Sequence, residues 1–305
     1  MRLFQYKKPG DINEVHVAYK IHHLNTATLC PGTQRLVNGA GSLVRKGKLV
    51  CHCLLVETDD GLVLIDTGFG LNEVLHGDLR DKLAMASLGA VGDPDECAVN
   101  QVRRLGFRPD DVRHIVLTHL DTDHAGGIKD FPQATVHLHQ NEFIAGMQPI
   151  TWFEKIRYQP GNWRHQPNWK THQPVGEKWQ GFDSVRLLSN QLYDILLIPL
   201  TGHSRGHSGV AISTTEGWLL HCGDAYFSHQ EIKSEKPTCP PMLQAVQTMD
   251  ESSRADRLYN QQRLRELYRD HHSDIRLICS HDHEEFEACC HYNAFLGHSR
   301  AETVG

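Results

Sequence analysis

Short apolar runs rich in branched residues recur along the chain, each ended by glycine, aspartate or histidine, a pattern of strands rather than long helices. Residues 15–21 (VHVAYKI), 49–57 (LVCHCLLVE) and 62–66 (LVLID) predict strands, and Thr58 to Gly61 (TDDG) predicts a hairpin turn between the last two. The opening therefore reads as a run of antiparallel strands. Residues 95–106 predict a helix with Val99, Val102 and Leu105 on one face and Gly106 at its end. An apolar run from Ile115 to Leu117 follows, then a strand over 134–139 (ATVHLH) whose alternation makes His137 and His139 partly exposed neighbours. Further strands are predicted over 194–200, 209–213, 218–222 and 275–279, with helices over Leu258 to Tyr268 and from near Glu284. One stretch breaks the pattern. Trp152 to Phe182 holds four of the five tryptophans, shows no period and predicts a long irregular insertion. The wider segment 148–185 is expected either to form a lid over a substrate pocket or to pack on its own domain.

At 305 residues, with 39% hydrophobic and 22% charged, the chain has the composition of a soluble globular enzyme and is read as one domain over 1–305. A net charge of −6 with scattered basic residues argues against a nucleic-acid partner. No apolar run approaches the ~20 residues that span a bilayer. Met1 to Gly10 lacks the apolar core of a secretory signal, so a cytoplasmic protein without membrane contact is expected. The nine cysteines form no C-x-x-C pair, and the spacings Cys51/Cys53 and Cys289/Cys290 suit free buried thiols better than disulfides. Histidine stands out at 22 copies, which fits metal chemistry although one site uses only a few.

Thr118 to Gly127 (THLDTDHAGG) concentrates that chemistry, with His119, Asp121, Asp123 and His124 straight after the buried run. If a helix starts at Ala125, residues 119, 121 and 123 can converge on one side of the turn while His124 swings to a neighbouring point, so one loop can serve two metal ions. Imidazole and carboxylate donors suit zinc, iron and manganese, and the absence of cysteine from the loop argues against a closed structural zinc site. A helix N-cap explains one such residue, not four. Other strand ends carry the same residue types: Asp66 before Thr67-Gly68, His203 and His207 in GHSRGH, Asp224 in Gly223-Asp224, and His281 and His283 after the last strand. Asp66 is expected to stand behind the ligands and orient them.

These blocks, in this order from about residue 50 to 285, resemble the metallo-β-lactamase superfamily: H-x-H-x-D-H after a strand, a G-H-[ST]-x-G-H loop, a G-D strand end and a final histidine. The resemblance implies an α+β fold, an αββα sandwich of two mixed β-sheets with helices on the outer faces. It also implies two divalent metal ions, one on His119, Asp121 and His207, the other on Asp123, His124 and His281, with Asp224 bridging. The second histidine of the loop is taken as the ligand, leaving His203 behind it, and His281 is preferred to His283. The implied activity is that of a binuclear-metal-dependent hydrolase whose bridging hydroxide attacks an ester, lactone or similar carbonyl of a small-molecule substrate, with Asp123 orienting it and moving its proton. HAGG and the paired G-H loop look most like N-acyl homoserine lactonases, which place a tyrosine three residues after the bridging aspartate. Phe227 stands there and Tyr226 precedes it, so both are expected substrate contacts. Asp121 departs from the usual histidine. Flavodiiron reductases carry glutamate at that position, so iron or manganese competes with the expected zinc. A di-iron oxidoreductase is therefore the rival reading, although the short stretch after His281 is expected to hold no flavin-binding domain. A phosphodiesterase and a non-catalytic metal-stabilised binding module are the remaining alternatives, and a homodimer would suit the family.

Overall fold

Burial on both faces of the central strands explains why their sequences read as nearly continuous apolar runs. In the computed structural model, which describes residues 20–189 and 193–291, the first sheet is built from β1 (Ile21–Leu29), β2 (Leu49–Thr58), β3 (Gly61–Ile65), β4 (Val112–Val116), β5 (Thr135–His139) and β6 (Asn168–His172), in that spatial order. The second follows the order β12 to β7, from β7 (Glu177–Trp179), β8 (Phe182–Ser189), β9 (Asp194–Pro199), β10 (Ser208–Thr214), β11 (Gly217–His221) and β12 (Ile275–Ile278). Both sheets are mixed. The pairs β3/β4, β4/β5, β5/β6 and β11/β12 are parallel and the others antiparallel.

Alternation along single strands divides the buried residues between the inter-sheet layer and the two outer layers. Leu54 and Val56 of β2 and Ile195 and Leu197 of β9 point between the sheets, joined by Val116, Val210 and Ile278. Leu55 of β2 faces the outer layer, where α4 (Ala98–Arg104) and α6 (Gln140–Met147) cover the first sheet. Leu196 and Ile198 face α9 (Arg254–His271) through its Leu264 and Leu267. The remaining helices are α1 (Gln34–Val37), α2 (Leu71–His76), α3 (Leu79–Leu88), α5 (Thr122–Ala125), α7 (Trp152–Arg157) and α8 (Pro241–Asp250), and another helix covers 283–291. The layering is the expected αββα sandwich.

Two expectations need correction, and a third falls mostly outside the described residues. The strand expected at 15–21 lies, up to residue 19, outside the described residues, and β1 begins at Ile21. Its sequence IHHLNTATL is too polar to be read as a strand by itself, and pairing with β2 makes it one. The Trp152 to Phe182 stretch is not irregular: it holds α7, a short 3-10 turn over Pro160–Trp163, β6, β7 and the start of β8, and supplies an edge strand to each sheet. β5 is an interior strand, so His137 and His139 are buried rather than partly exposed. His137 bonds His114 and His172 on the neighbouring strands, each at 3.0 Å, and burial holds its pKa down at about 3. His139 caps α6 by accepting the Asn141 N–H.

Candidate metal centre

Parallel pairing of β3 with β4 and of β11 with β12 brings the C-terminal ends of two strands in each sheet to one edge. The loops there cross-link the sheets through the backbone. The Ser208 N–H donates to the Thr118 carbonyl at 3.0 Å and the His52 N–H to the Ser280 carbonyl at 2.8 Å. Beyond β4 the chain turns into the single turn of α5, with Asp121 at its N-cap and no side-chain capping bond, so the Asp121 carboxylate is left for other partners. Gly206 has no room for a side chain, since a Cβ there would lie 2.1 Å from the backbone nitrogen of Glu142.

Hydrogen bonds on the outer ring nitrogens aim the histidines. Asp66, at the end of β3 with a positive φ of 55°, accepts from His124 Nδ1 at 2.9 Å and from the Thr118 hydroxyl at 2.8 Å. That hydroxyl in turn accepts from His119 Nδ1 at 2.9 Å, so one carboxylate orients two rings. His281 donates from Nδ1 to the Val50 carbonyl at 2.8 Å. In each case Nε2 is left facing the interior.

The inward atoms form two sets that share Asp224. In the first, Asp121 Oδ2 lies 3.1 Å from His203 Nε2 and 3.2 Å from His119 Nε2, and Asp224 Oδ2 lies 3.5 and 3.8 Å from those nitrogens. In the second, Asp224 lies 3.4 Å from His124 Nε2 and 3.3 Å from His281 Nε2, and Asp123 Oδ2 lies 3.7 and 3.6 Å from them. Four donors about 2.0–2.1 Å from a tetrahedral zinc stand roughly 3.4 Å apart. His119 Nε2, His124 Nε2 and Asp224 Oδ1 are buried without a hydrogen-bond partner. Three orphaned buried donors at metal-ligand spacing fit a cation, because such atoms are costly to bury unpaired.

Electrostatics agree. Burial favours a neutral His124, yet Asp224 and Asp123 hold its pKa well above the ordinary value. Asp224 sits well below the carboxylate range, since His281 and His124 outweigh its burial. The cluster thus attracts positive charge.

Side-chain direction changes several expectations. His207 does not present a free nitrogen to the cluster: Nδ1 donates to the Leu200 carbonyl at 2.7 Å and Nε2 accepts the Asp224 N–H at 2.8 Å. His203 reaches Asp121 and His119 instead. Tyr226 turns into the core, its hydroxyl donating to Glu285 at 3.1 Å, whereas the Phe227 ring packs edge-on against His203 and His281. A cysteine does stand by the cluster. Cys51 Sγ lies 3.9 Å from Asp123 Oδ2, and burial pushes its pKa well up.

Three residues carry weight here that the sequence reading missed. Arg157 of α7 forks onto Asp121. Glu142 of α6, fully buried, accepts from the Leu120 and Gly206 N–H groups and the Ser204 and Tyr158 hydroxyls. Its signal was a lone carboxylate in the otherwise apolar run EFIAGM. Asp250, at the end of α8, lines the adjoining cleft, and its pKa is raised to about 6, first by burial and then by Asp121. That cleft, about 820 Å³, runs from Asp121 and Asp123 between α3 and α7 and is walled by Leu79, Leu83, Leu88, Phe153 and Ile156.

The chain is similar to known proteins. The metallo-beta-lactamase superfamily model matches residues 47–277. A probable metallo-hydrolase of Mycobacterium tuberculosis is 40% identical over 272 residues, covering 88% of this chain and 82% of that protein. An N-acyl homoserine lactonase of Bacillus thuringiensis is 24% identical over 66% of this chain and 74% of its own length. Among solved structures, the B. thuringiensis lactonase AiiA, a mutant with N-decanoyl-L-homoserine at its active site, aligns with a TM-score of 0.65 at 20% identity over 89% of this chain and 96% of its own. The dizinc quorum-quenching lactonase AidC aligns at 0.55 with 16% identity, over 88% of this chain and 92% of its own.

Proposed function

This chain belongs to the metallo-β-lactamase superfamily of metallohydrolases, and on that premise we propose that it hydrolyses an ester or lactone with an apolar acyl group at a site for two divalent cations. The observation that carries this reading is the convergence of imidazole nitrogens and carboxylate oxygens on the two sides of Asp224, with three buried atoms that lack hydrogen-bond partners. His119, Asp121 and His203 would hold one cation, Asp123, His124 and His281 the other, with Asp224 between them. Zinc is the expected metal, and the hard oxygens of Asp121 and Asp123 leave iron or manganese as competitors. Such cations supply Lewis acidity toward a carbonyl oxygen and bring the acidity of water close to neutral pH.

The remaining work falls to the chain. Asp123 Oδ2, facing both His124 and His281, is placed to take the proton of the attacking water and return it to the leaving oxygen. Leu79, Leu83, Phe153 and Ile156 would bind the acyl part and exclude water from the carbonyl. The 148–185 segment would act as the lid through α7. Support comes from the exposure of α3, which buries none of its residues. Arg80 of α3 also donates to the Tyr158 carbonyl at the end of α7. Phe227 would border the reacting group.

Elemental analysis of purified protein, followed by a panel of lactones, esters and thioesters of increasing acyl length, tests the reading. Hydrolysis should require bound metal, vanish with a chelator and return on readdition. Activity that survives in metal-free protein would overturn it.

A further inference from the structure

One guanidinium has all of its N–H groups engaged on the wall of the first donor set. Arg157 gives Nε to Asp121 Oδ1 at 2.5 Å and Nη2 to Asp121 Oδ2 at 2.7 Å, sends Nη1 to the carbonyls of His203 and Asp250 at 2.9 and 2.8 Å, and rests Nη2 against His203 Nε2. Asp121 Oδ2 and His203 Nε2 are the same two atoms that complete the first set with His119. The lone pair on an imidazole nitrogen serves one partner at a time, and a carboxylate already forked by a guanidinium has less charge to offer a second cation. The second set has no such competitor. Among the described residues, Asp123 and Asp224 form ion pairs with histidines alone.

We propose that Arg157 is a positioning residue that makes the two cation positions unequal, so that the His119–Asp121–His203 position is weak and exchangeable while the Asp123–His124–Asp224–His281 position holds its ion tightly. A cation entering the first position competes with the guanidinium for Asp121 and His203. The protein as isolated from dilute buffer then keeps about one tightly held equivalent and takes the second only from solution. This rests on the two-cation reading of the site, but it concerns affinities and not the reaction.

The test uses the full chain, stripped with a chelator and titrated with Zn²⁺ against a chromophoric chelator, with elemental analysis after gel filtration. The wild type should bind in two steps separated by about 100-fold or more, and Arg157→Gln should tighten the second step about tenfold while leaving the first within about threefold. Arg157→Lys keeps the charge without the planar fork and should fall between them. In Arg157→Ala, added methylguanidinium should weaken the second step again while sodium chloride at equal ionic strength does not, a rescue that a merely structural role would not show. Equal steps in the wild type would overturn the proposal. So would a second step that is unchanged, weaker or missing in the variants, which would mean that the guanidinium helps Asp121 hold its ion. If the glutamine variant fails to fold, the lysine variant decides by the same criterion. No substrate is present, so a failed hydrolysis panel leaves this proposal standing, and equal affinities leave the hydrolase reading standing.

Discussion

His203 and His207 lie four apart in one loop and differ in what their second nitrogen touches. His203 is fully buried with Nε2 facing Asp121, and burial, followed by Arg157, holds its pKa down at about 3, so the ring is neutral and able to ligate. His207 instead bridges the Leu200 carbonyl and the Asp224 N–H. His203→Ala should therefore fail to take up the second metal equivalent when titrated with excess Zn²⁺, with a small change in stability. His207→Ala should keep its metal but lose about 1–3 kcal/mol in urea unfolding, because it strands two buried backbone groups. If instead His207→Ala loses metal and His203→Ala keeps it, the assignment reverts to the one expected from the motif.

Elements meet at the site through a few buried polar side chains. Glu142 ties α6 to the loop after β4, to the end of α7 and to the loop before β10 through four accepted hydrogen bonds. Glu142→Gln puts an amide N–H₂ where donors already point, and should cost about 2–3 kcal/mol in chemical denaturation. An unchanged midpoint would show that the loops are held by backbone contacts alone. At the opposite side of the cluster, His229 and Asp282 join the turn after β11 to the start of the last helix at 2.7 Å. The Asp282 hydrogen bond raises the His229 pKa against some burial. Asp282 is held below the carboxylate range because His229 outweighs its burial. The raised histidine stabilises the fold below the unfolded value of about 6.5 and loses that contribution as pH rises through its folded value; the depressed carboxylate contributes above about 3.9 and loses it as pH falls. The pair thus works best between roughly pH 4 and 6.5. The stability difference between wild type and His229→Gln should be largest near pH 5–6 and should shrink as pH rises through the raised folded pKa of His229, and a difference that does not change with pH would exclude the pair.

Across the whole molecule, the site is where the two sheets are fastened together. Asp66, His119, Asp123 and His124 come from the first sheet's loops, and His203, Asp224 and His281 from the second's. Ions bound there would bind the native state and not the unfolded chain, adding about 2.7 kcal/mol at a free concentration one hundred times the Kd. Chelator should therefore lower Tm, and the shift should scale with the logarithm of free metal. A Tm indifferent to metal would mean that the orphaned atoms are satisfied in some other way. Among the described residues no helix is long and apolar enough to cross a membrane. Leu79 and Ile156, 74% and 52% exposed on α3 and α7, place apolar surface at the cleft rather than along a spanning helix.

Short-range pattern was enough to read the strands, the hairpin at 58–61, and the aspartates and histidines at the strand ends, because alternation, turn residues and the edge chemistry of parallel strands are written locally. β1 was not legible in this way, since only its pairing with β2 makes a polar segment a strand. Nor was the order inside Trp152 to Phe182, whose short elements are defined by the sheets they join. The tertiary structure alone decided that His203 rather than His207 faces Asp121, that Tyr226 points to Glu285, and that Arg157 and Glu142 reach the site across 36 and 22 residues of chain. Side-chain direction and long-range contact have no period in the sequence; they exist only once two sheets have packed and each buried donor has found, or lacks, its partner.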